Sequence, residues 1–342
     1  MSEENSFVKK YLFQFLMAFC CILIGMGIQW IILSNKDSGN NVDLIKIHPA
    51  QSTGYKFINP LLGVELSGDK ESTKYNSLTS QLRKYINGQI SSRRVDNVSI
   101  YFLDMEQGNW FGVNENEDFN AASLFKVPVM LAYYRTAGTD PNILLKKVYV
   151  NNVSGDYSST LEPTVIVPGS YTIDKLIENM IVYSDNKAKD ILLTAAEQNF
   201  GIDYKSLENV FTYLGVFDNA EDKQKFVISP RLYSLFFRVL YNSTYLNKVM
   251  SEKALDLLSK TNFNDGLVSL LPKDTLVAHK FGSYVDKVNK KEELHDCGII
   301  YYPSQPYFLC VMTRGDNANN LKEVIRSISE KTYNYIQKES GE

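Results

Sequence analysis

The chain has 342 residues, of which 44% are hydrophobic, enough for one large domain or two small ones around an ordinary core. With 36 Lys and Arg against 39 Asp and Glu, a net charge of -3 and no basic stripe interleaved with aromatics, it lacks the electrostatic footprint of a nucleic-acid binder. Four cysteines are too few for a disulfide scaffold, and the scattered His48, His279 and His295 do not carry the spacing of a metal cluster.

Residues 11–33 (YLFQFLMAFCCILIGMGIQWIIL) form an unbroken uncharged run. As a helix it would span roughly 35 Å, enough to cross a bilayer. Lys9 and Lys10 precede the run, while Lys36 is followed at once by Asp37, so the positive-inside rule keeps residues 1–10 in the cytoplasm and exports the rest. The apolar stretch is long for a signal peptide and lacks a small-x-small cleavage site, so an uncleaved single-pass anchor is expected, with the lipid bilayer as a partner. Residues 34–54 are polar and read as a tether. The globular body is expected over 55–342, opening with an apolar arm (YKFINPLLGVEL) laid against it.

Leu78, Leu82, Tyr85 and Ile86 predict a helix within 71–89, and the alternation of Val98, Ile100 and Phe102 predicts a strand that turns at Glu106-Gln107-Gly108. Helices fill the middle, one opened by Ser229 as N-cap with Pro230 at its first position. Strands follow over 275–283, 297–302 and 307–313, the last two joined by a tight turn at 303–306. A final helix over 318–336 lines up Leu321, Val324, Ile325 and Ile328. Strands at both ends with a helical middle argue for one α+β domain. The turn places residue 302 opposite 307, hence Cys297 diagonal to Cys310 at about 7 Å, and free core thiols are expected. His295 and Asp296 are expected to make structural hydrogen bonds, and the charged run 287–294 (KVNKKEEL) reads as a solvated connector.

Four Ser-x-x-Lys tetrads occur: Ser6/Lys9, Ser67/Lys70, Ser123/Lys126 and Ser184/Lys187. Ser123 stands out because it opens the apolar helical run NAASLFKVPVMLAYY. There, unpaired N–H groups and the helix dipole favour negative charge, and Lys126 lies one turn on, able to share a proton with the serine. Further along come Ser184-Asp185-Asn186 and, on a predicted strand, Lys280-Phe281-Gly282-Ser283.

In the order and spacing of these motifs the chain resembles the penicillin-recognising serine enzymes, specifically the class A β-lactamase-like group, over about residues 75 to 338. The resemblance implies a five-stranded antiparallel sheet flanked by the terminal helices, plus an all-helical subdomain. It implies a serine hydrolase without cofactors, with Ser123 as nucleophile and Lys126 as its base or proton relay. Ser184, held by Lys280, would pass the proton to the leaving nitrogen. Asn186, Gly282, Phe281 and Ser283 would contact substrate, and the N–H groups of Ser123 and Ser283 would form the oxyanion hole. Phe281 and Ser283 share a strand face, so both are expected to look toward ligand.

The chain departs from the group in three places. Phe281 replaces a hydroxyl residue, and Cys297 stands where a cation is usual. Between Gly215 and Pro230 there is no Glu-x-x-Leu-Asn, leaving Glu221 as the one glutamate available as a deacylation base. The expected function is therefore a membrane-anchored extracytoplasmic hydrolase, a monomer, acylated at Ser123 by β-lactams or D-Ala-D-Ala-type envelope peptides and slow to deacylate. The alternative is a non-catalytic β-lactam-sensing or wall-binding module on the same fold.

Overall fold

The computed structural model describes residues 54–60, 71–151, 164–198, 200, 202, 205–216, 226–286 and 288–341. The expected anchor 11–33, most of the tether, and Glu221 lie outside these. Among the described residues no helix is long and apolar enough to cross a membrane.

Helix α1 (Asn76–Ser91) buries Leu78, Leu82 and Ile86, whose four-residue spacing puts them on one stripe. It leads into β1 (Asn97–Asp104), and β2 (Trp110–Val113) returns antiparallel after a turn in which the Asp104 carboxylate accepts the N–H groups of Glu106 (3.0 Å) and Gln107 (2.9 Å). A two-residue strand, β3 (Phe119–Asn120), precedes helix α2 (Lys126–Ala137). The hairpin β4 (Lys147–Val150) and β5 (Gly169–Thr172) then introduces α3 (Ile173–Val182), α4 (Asn186–Glu197) and α5 (Lys205–Leu214). After β6 (Val227–Ile228), which pairs with β3, come α6 (Pro230–Tyr241) and α7 (Lys248–Leu258). Helix α6 starts as its sequence requires, with the Ser229 hydroxyl accepting Leu232 N–H at 3.3 Å and Pro230 in the first turn. The chain closes with β7 (Val277–Val285), β8 (Glu292–Ile300), β9 (Tyr307–Gly315) and helix α8 (Ala318–Ser340).

The main sheet has the order β2-β1-β9-β8-β7, every pair antiparallel. Its strands are buried on both faces, and side-chain alternation sends their residues into two cores. Val98, Ile100, Phe102, Leu309, Val311 and Phe281 join α1 and α8 on one face, whereas Tyr101, Leu103, Ala278, Cys297, Phe308 and Met312 face the helical middle. The expected α+β architecture with its five-stranded antiparallel sheet is the one observed, but the middle is not all-helical, since it also carries the β3–β6 and β4–β5 pairs. Tyr55 to Pro60 are laid against the domain as expected: Phe57 and Ile58 are buried, and the Glu252 carboxylate takes the N–H groups of Lys56 (2.6 Å), Phe57 (3.0 Å) and Ile58 (3.2 Å).

Three expectations are corrected. Ile300, not Tyr302, pairs with Tyr307. The N–H of Tyr301 bonds Leu276 O (2.9 Å) and that of Tyr302 turns back to Ile300 O (3.1 Å), so both residues leave the β8–β9 ladder and the connection lengthens to residues 301–306. Cys297 therefore stands directly opposite Cys310, with Cα atoms 3.9 Å apart, and the two form a disulfide instead of free thiols. In addition, β8 begins at Glu292, so Glu293 and Leu294 belong to the sheet and are buried, not part of a solvated connector.

Candidate active site

Ser123 lies in a 3-10 turn (Ala122–Phe125) that runs directly into α2. The turn begins where Asn120 Oδ1 accepts Ala122 N–H at 2.9 Å, and Ala122 takes the left-handed φ of 47° just before Ser123. Lys126 follows one turn later and is fully buried, and its Nζ donates to Ser123 Oγ (2.6 Å), Ser184 Oγ (3.0 Å) and Ser184 O (2.5 Å).

Ser184 occupies the break between α3 and α4, also left-handed at φ 55°. The next residue, Asp185, is buried and fixes this break from two sides: Oδ1 accepts Ala188 N–H at 3.0 Å as the N-cap of α4, and Oδ2 accepts Val165 N–H (2.6 Å) and the Thr164 hydroxyl (3.0 Å). Lys280 on β7 is fully buried, and its Nζ donates to Ser184 Oγ at 2.7 Å and to Phe281 O at 2.9 Å. Ser123, Lys126, Ser184 and Lys280 are thus joined in one hydrogen-bonded chain. Asn186, the first residue of α4, is half-buried beside it, as is Ser283 on β7. Gly282 is needed for close approach, though to the protein itself: a Cβ there would meet Ala121 O at 2.9 Å and Leu124 N at 3.2 Å, so β7 packs tightly on the turn that carries Ser123.

Phe281 departs from expectation. Its neighbour Lys280 points to the helical side, so Phe281 points to the other, where it is fully buried and stacks on Phe263 with ring centroids 4.2 Å apart. It is a core residue and does not face ligand. On that same side His279 Nδ1 lies 2.8 Å from Asp296 Oδ1, and Asp296 Oδ2 accepts Leu267 N–H at 2.8 Å, the structural bonding foreseen for Asp296. Cys297 is in register with Lys280 across the β7–β8 pair. Among the described residues no three His, Cys, Asp or Glu side chains converge as a metal site.

Behind the Ser123 turn His295 makes the structural hydrogen bond foreseen for it, to a group whose other members, Asn120 and Glu293, sequence reading missed. Glu293 Oε2 accepts Asn120 N–H at 2.9 Å, Glu293 Oε1 accepts from Arg314 Nε at 2.7 Å, and His295 Nε2 donates to Asn120 O at 3.0 Å. Burial alone would raise the Glu293 pKa, but the hydrogen bonds and charges of His295 and Arg314 hold it below the ordinary carboxylate value. Asn120 and Glu293 are 173 residues apart, and no local pattern connects them.

The model of the β-lactamase enzyme family matches residues 78–336, from the buried face of α1 to the last turns of α8. The chain belongs to that family. The β-lactamase VEB-1 of Pseudomonas aeruginosa is 22% identical to this family member over 288 residues, which cover 76% of this chain and 92% of that protein. A β-lactamase structure from Chitinophaga pinensis superposes with a TM-score of 0.64 at 20% identity, covering 75% of this chain and 99% of that one. The structure of PBP-A gives 0.63 at 21% identity, with 80% and 100% covered. The two structures share the β-lactamase fold with this chain, and the four hydrogen-bonded residues lie inside the matched region.

Proposed function

We propose that this chain is a membrane-anchored, extracytoplasmic serine hydrolase that is acylated at Ser123 by β-lactams or D-Ala-D-Ala-type envelope peptides and releases the acyl group slowly. The observation that carries this reading is the chain Ser123 Oγ–Lys126 Nζ–Ser184 Oγ–Lys280 Nζ, with contacts of 2.6, 3.0 and 2.7 Å. Each contact is within proton-transfer reach. The two amines share one hydroxyl and so lie within about 6 Å of each other, where two ammonium charges repel by about 3 kcal/mol at an effective dielectric constant of about 20. That repulsion favours a state in which one amine is neutral, and a neutral Lys126 can accept the Ser123 proton.

As Ser123 Oγ bonds the substrate carbonyl carbon, its proton passes to Lys126. The negative charge moves to the carbonyl oxygen, toward the N–H groups of Ser123 and Ser283. When the C–N bond breaks, Ser184 gives its proton to the leaving nitrogen and regains one from Lys126, so the ester forms with every proton accounted for. Asn186, at the start of α4, would hold the substrate amide. Phe281 lies in the core, so the hydroxyl that the family has at this position is absent here, and Ser283 is the nearby residue left to bond a substrate carboxylate. PBP-A, which has the same fold, has a variant captured as an acyl-enzyme complex with penicillin G.

Slow release follows from the sequence between Gly215 and Pro230, where Glu221 is the one glutamate available to activate water. Membrane attachment rests on the apolar run 11–33 and the lysines before it, and export is supported by the Cys297–Cys310 disulfide, since such bonds persist in oxidising compartments.

The test is incubation of the full-length chain with a fluorescent penicillin. A covalent adduct on Ser123 is expected, persisting for minutes and lost in Ser123→Ala. Absence of an adduct with any β-lactam or activated ester would replace this reading with that of a binding module. Rapid turnover that becomes a trapped adduct in Glu221→Gln would show that Glu221 is an efficient base.

A further inference from the structure

The turn that presents Ser123 is held from behind by side chains that the acyl transfer does not use. The backbone of Asn120 is held on both sides of its Cα, its N–H by Glu293 Oε2 at 2.9 Å and its carbonyl by His295 Nε2 at 3.0 Å. Its side chain in turn accepts Ala122 N–H at 2.9 Å. Ala122 sits at φ 47°, a conformation that costs a residue without a polar side chain about 1–3 kcal/mol and persists only where its surroundings enforce it. Ser123 is the next residue, so any relaxation of Ala122 swings the hydroxyl away from Lys126.

The gripping residues are themselves fixed. Arg314 donates to Glu293 Oε1 at 2.7 Å and to Asp118 O at 3.1 Å, and its guanidinium lies 4.7 Å from the centre of the Phe119 ring. His295 is fully buried and meets Phe119 edge-on at 5.3 Å. Its Nε2 must carry hydrogen to donate to Asn120 O, and its buried Nδ1 has no hydrogen-bond partner among the described residues. A buried imidazole with one nitrogen unpaired is costly, and in this position the other nitrogen holds the backbone that leads to the nucleophile.

We propose that Glu293 and His295 are positioning residues for Ser123: by fixing the Asn120 backbone they hold Ala122 left-handed and keep the Ser123 oxygen on Lys126. Neither touches the reacting atoms. The inference rests on reading Ser123 as the nucleophile for its catalytic consequence, but not for its structural one, and the test separates the two.

Wild type, His295→Phe, His295→Gln and Asn120→Ala are compared as full-length chains. Phe keeps a ring against Phe119 but removes the donor, Gln restores a side-chain N–H, and Asn120→Ala cuts the bond to Ala122 without disturbing the buried ring. Hydrogen exchange over residues 119–125 is expected to quicken about tenfold in His295→Phe and Asn120→Ala, as loss of about one hydrogen bond predicts, and to stay near wild type in His295→Gln. Exchange in the five-stranded sheet should not change. With a fluorescent penicillin, the acylation rate constant should fall about tenfold in the first two variants at unchanged non-covalent affinity, with most of it recovered in His295→Gln.

Wild-type exchange in Asn120→Ala, equal failure of His295→Gln and His295→Phe, or a loss confined to affinity would each overturn the proposal. If wild type forms no adduct at all, the functional reading fails and the exchange comparison alone decides the clamp. If His295→Phe does not fold, Asn120→Ala decides it.

Discussion

Reducing the Cys297–Cys310 bond offers a test of the β8–β9 register that does not depend on activity. The two cysteines are 13 residues apart, and in the chain-entropy description cross-linking a loop of that size stabilises a protein by about 3 kcal/mol at 25 °C. For a domain of this size each kcal/mol moves the thermal midpoint by about 2–4 °C, so the reduced protein should unfold about 6–12 °C below the oxidised one. Both sulfur-bearing residues are fully buried, so reduction should need an unfolding and refolding cycle in the presence of a phosphine. The assay is thermal unfolding followed by near-ultraviolet circular dichroism on oxidised and reduced chains, with Cys297→Ala/Cys310→Ala as a control that reductant should not affect. Thiol alkylation of the denatured, unreduced chain must leave Cys297 and Cys310 unlabelled. Alkylation of these two cysteines, or identical midpoints before and after verified reduction, would refute the argument.

Phe281→Ala should destabilise the domain by about 3–5 kcal/mol in chemical denaturation, the cost of emptying a stacked core position, while β-lactam affinity measured at low temperature stays within a few-fold of wild type. Asp185→Ala should cost at least about 2 kcal/mol in the same assay and slow acylation, because it removes the α4 cap and frees the segment from Thr164, whereas Asp185→Asn should keep part of the cap. Glu293 has its pKa lowered in the folded chain, so the unfolded chain binds more protons in the acid range. Its stabilisation is complete above the ordinary carboxylate value of 4.5 and disappears as pH falls through the lower folded value. Denaturation midpoints of wild type and Glu293→Gln should therefore converge as pH is lowered through and below the ordinary carboxylate value, and a gap that widens toward acid would contradict the assignment.

The parts of the fold legible in the sequence are those written in local periods. Val98, Ile100 and Phe102 mark β1 by alternation, Leu321 to Ile328 mark the buried stripe of α8, and Ser229-Pro230 mark the start of α6. The four hydrogen-bonded site residues were legible because their order along the chain matches a known pattern. What failed depended on where individual hydrogen bonds go. The β8–β9 register was missed because Tyr301 bonds Leu276 and Tyr302 bonds Ile300, a choice that no turn composition reveals. The face of Phe281 could have been read: residues adjacent on a strand point to opposite faces, so the ring beside the inward Lys280 had to enter the far core. Glu293 was hidden in a run of charges whose polar composition imitates a connector, while the partner that buries it, Asn120, is 173 residues away.

The site gathers features that a stable protein otherwise avoids. Lys126 and Lys280 are both fully buried against one hydroxyl, and Ala122 and Ser184, each left-handed, precede or carry the two serine oxygens. Such conformations persist only if neighbouring structure fixes them. Here each left-handed residue stands next to a side chain that bonds backbone N–H groups: Asn120 before Ala122, and Asp185 after Ser184. Both supports are anchored in regular structure, Asn120 through Glu293 and His295 on β8, Asp185 through the first turn of α4. Lys280 joins them from β7, whose Gly282 lets the strand press on the turn before α2. Under the clamp proposed above, the contact from Ser123 to Lys126 depends on β8, and that from Ser184 to Lys280 on α4 and β7, so the hydrogen-bonded chain spans the junction between the sheet and the helical middle. A change in how those two layers pack would alter this chain of contacts even when all four of its residues are intact.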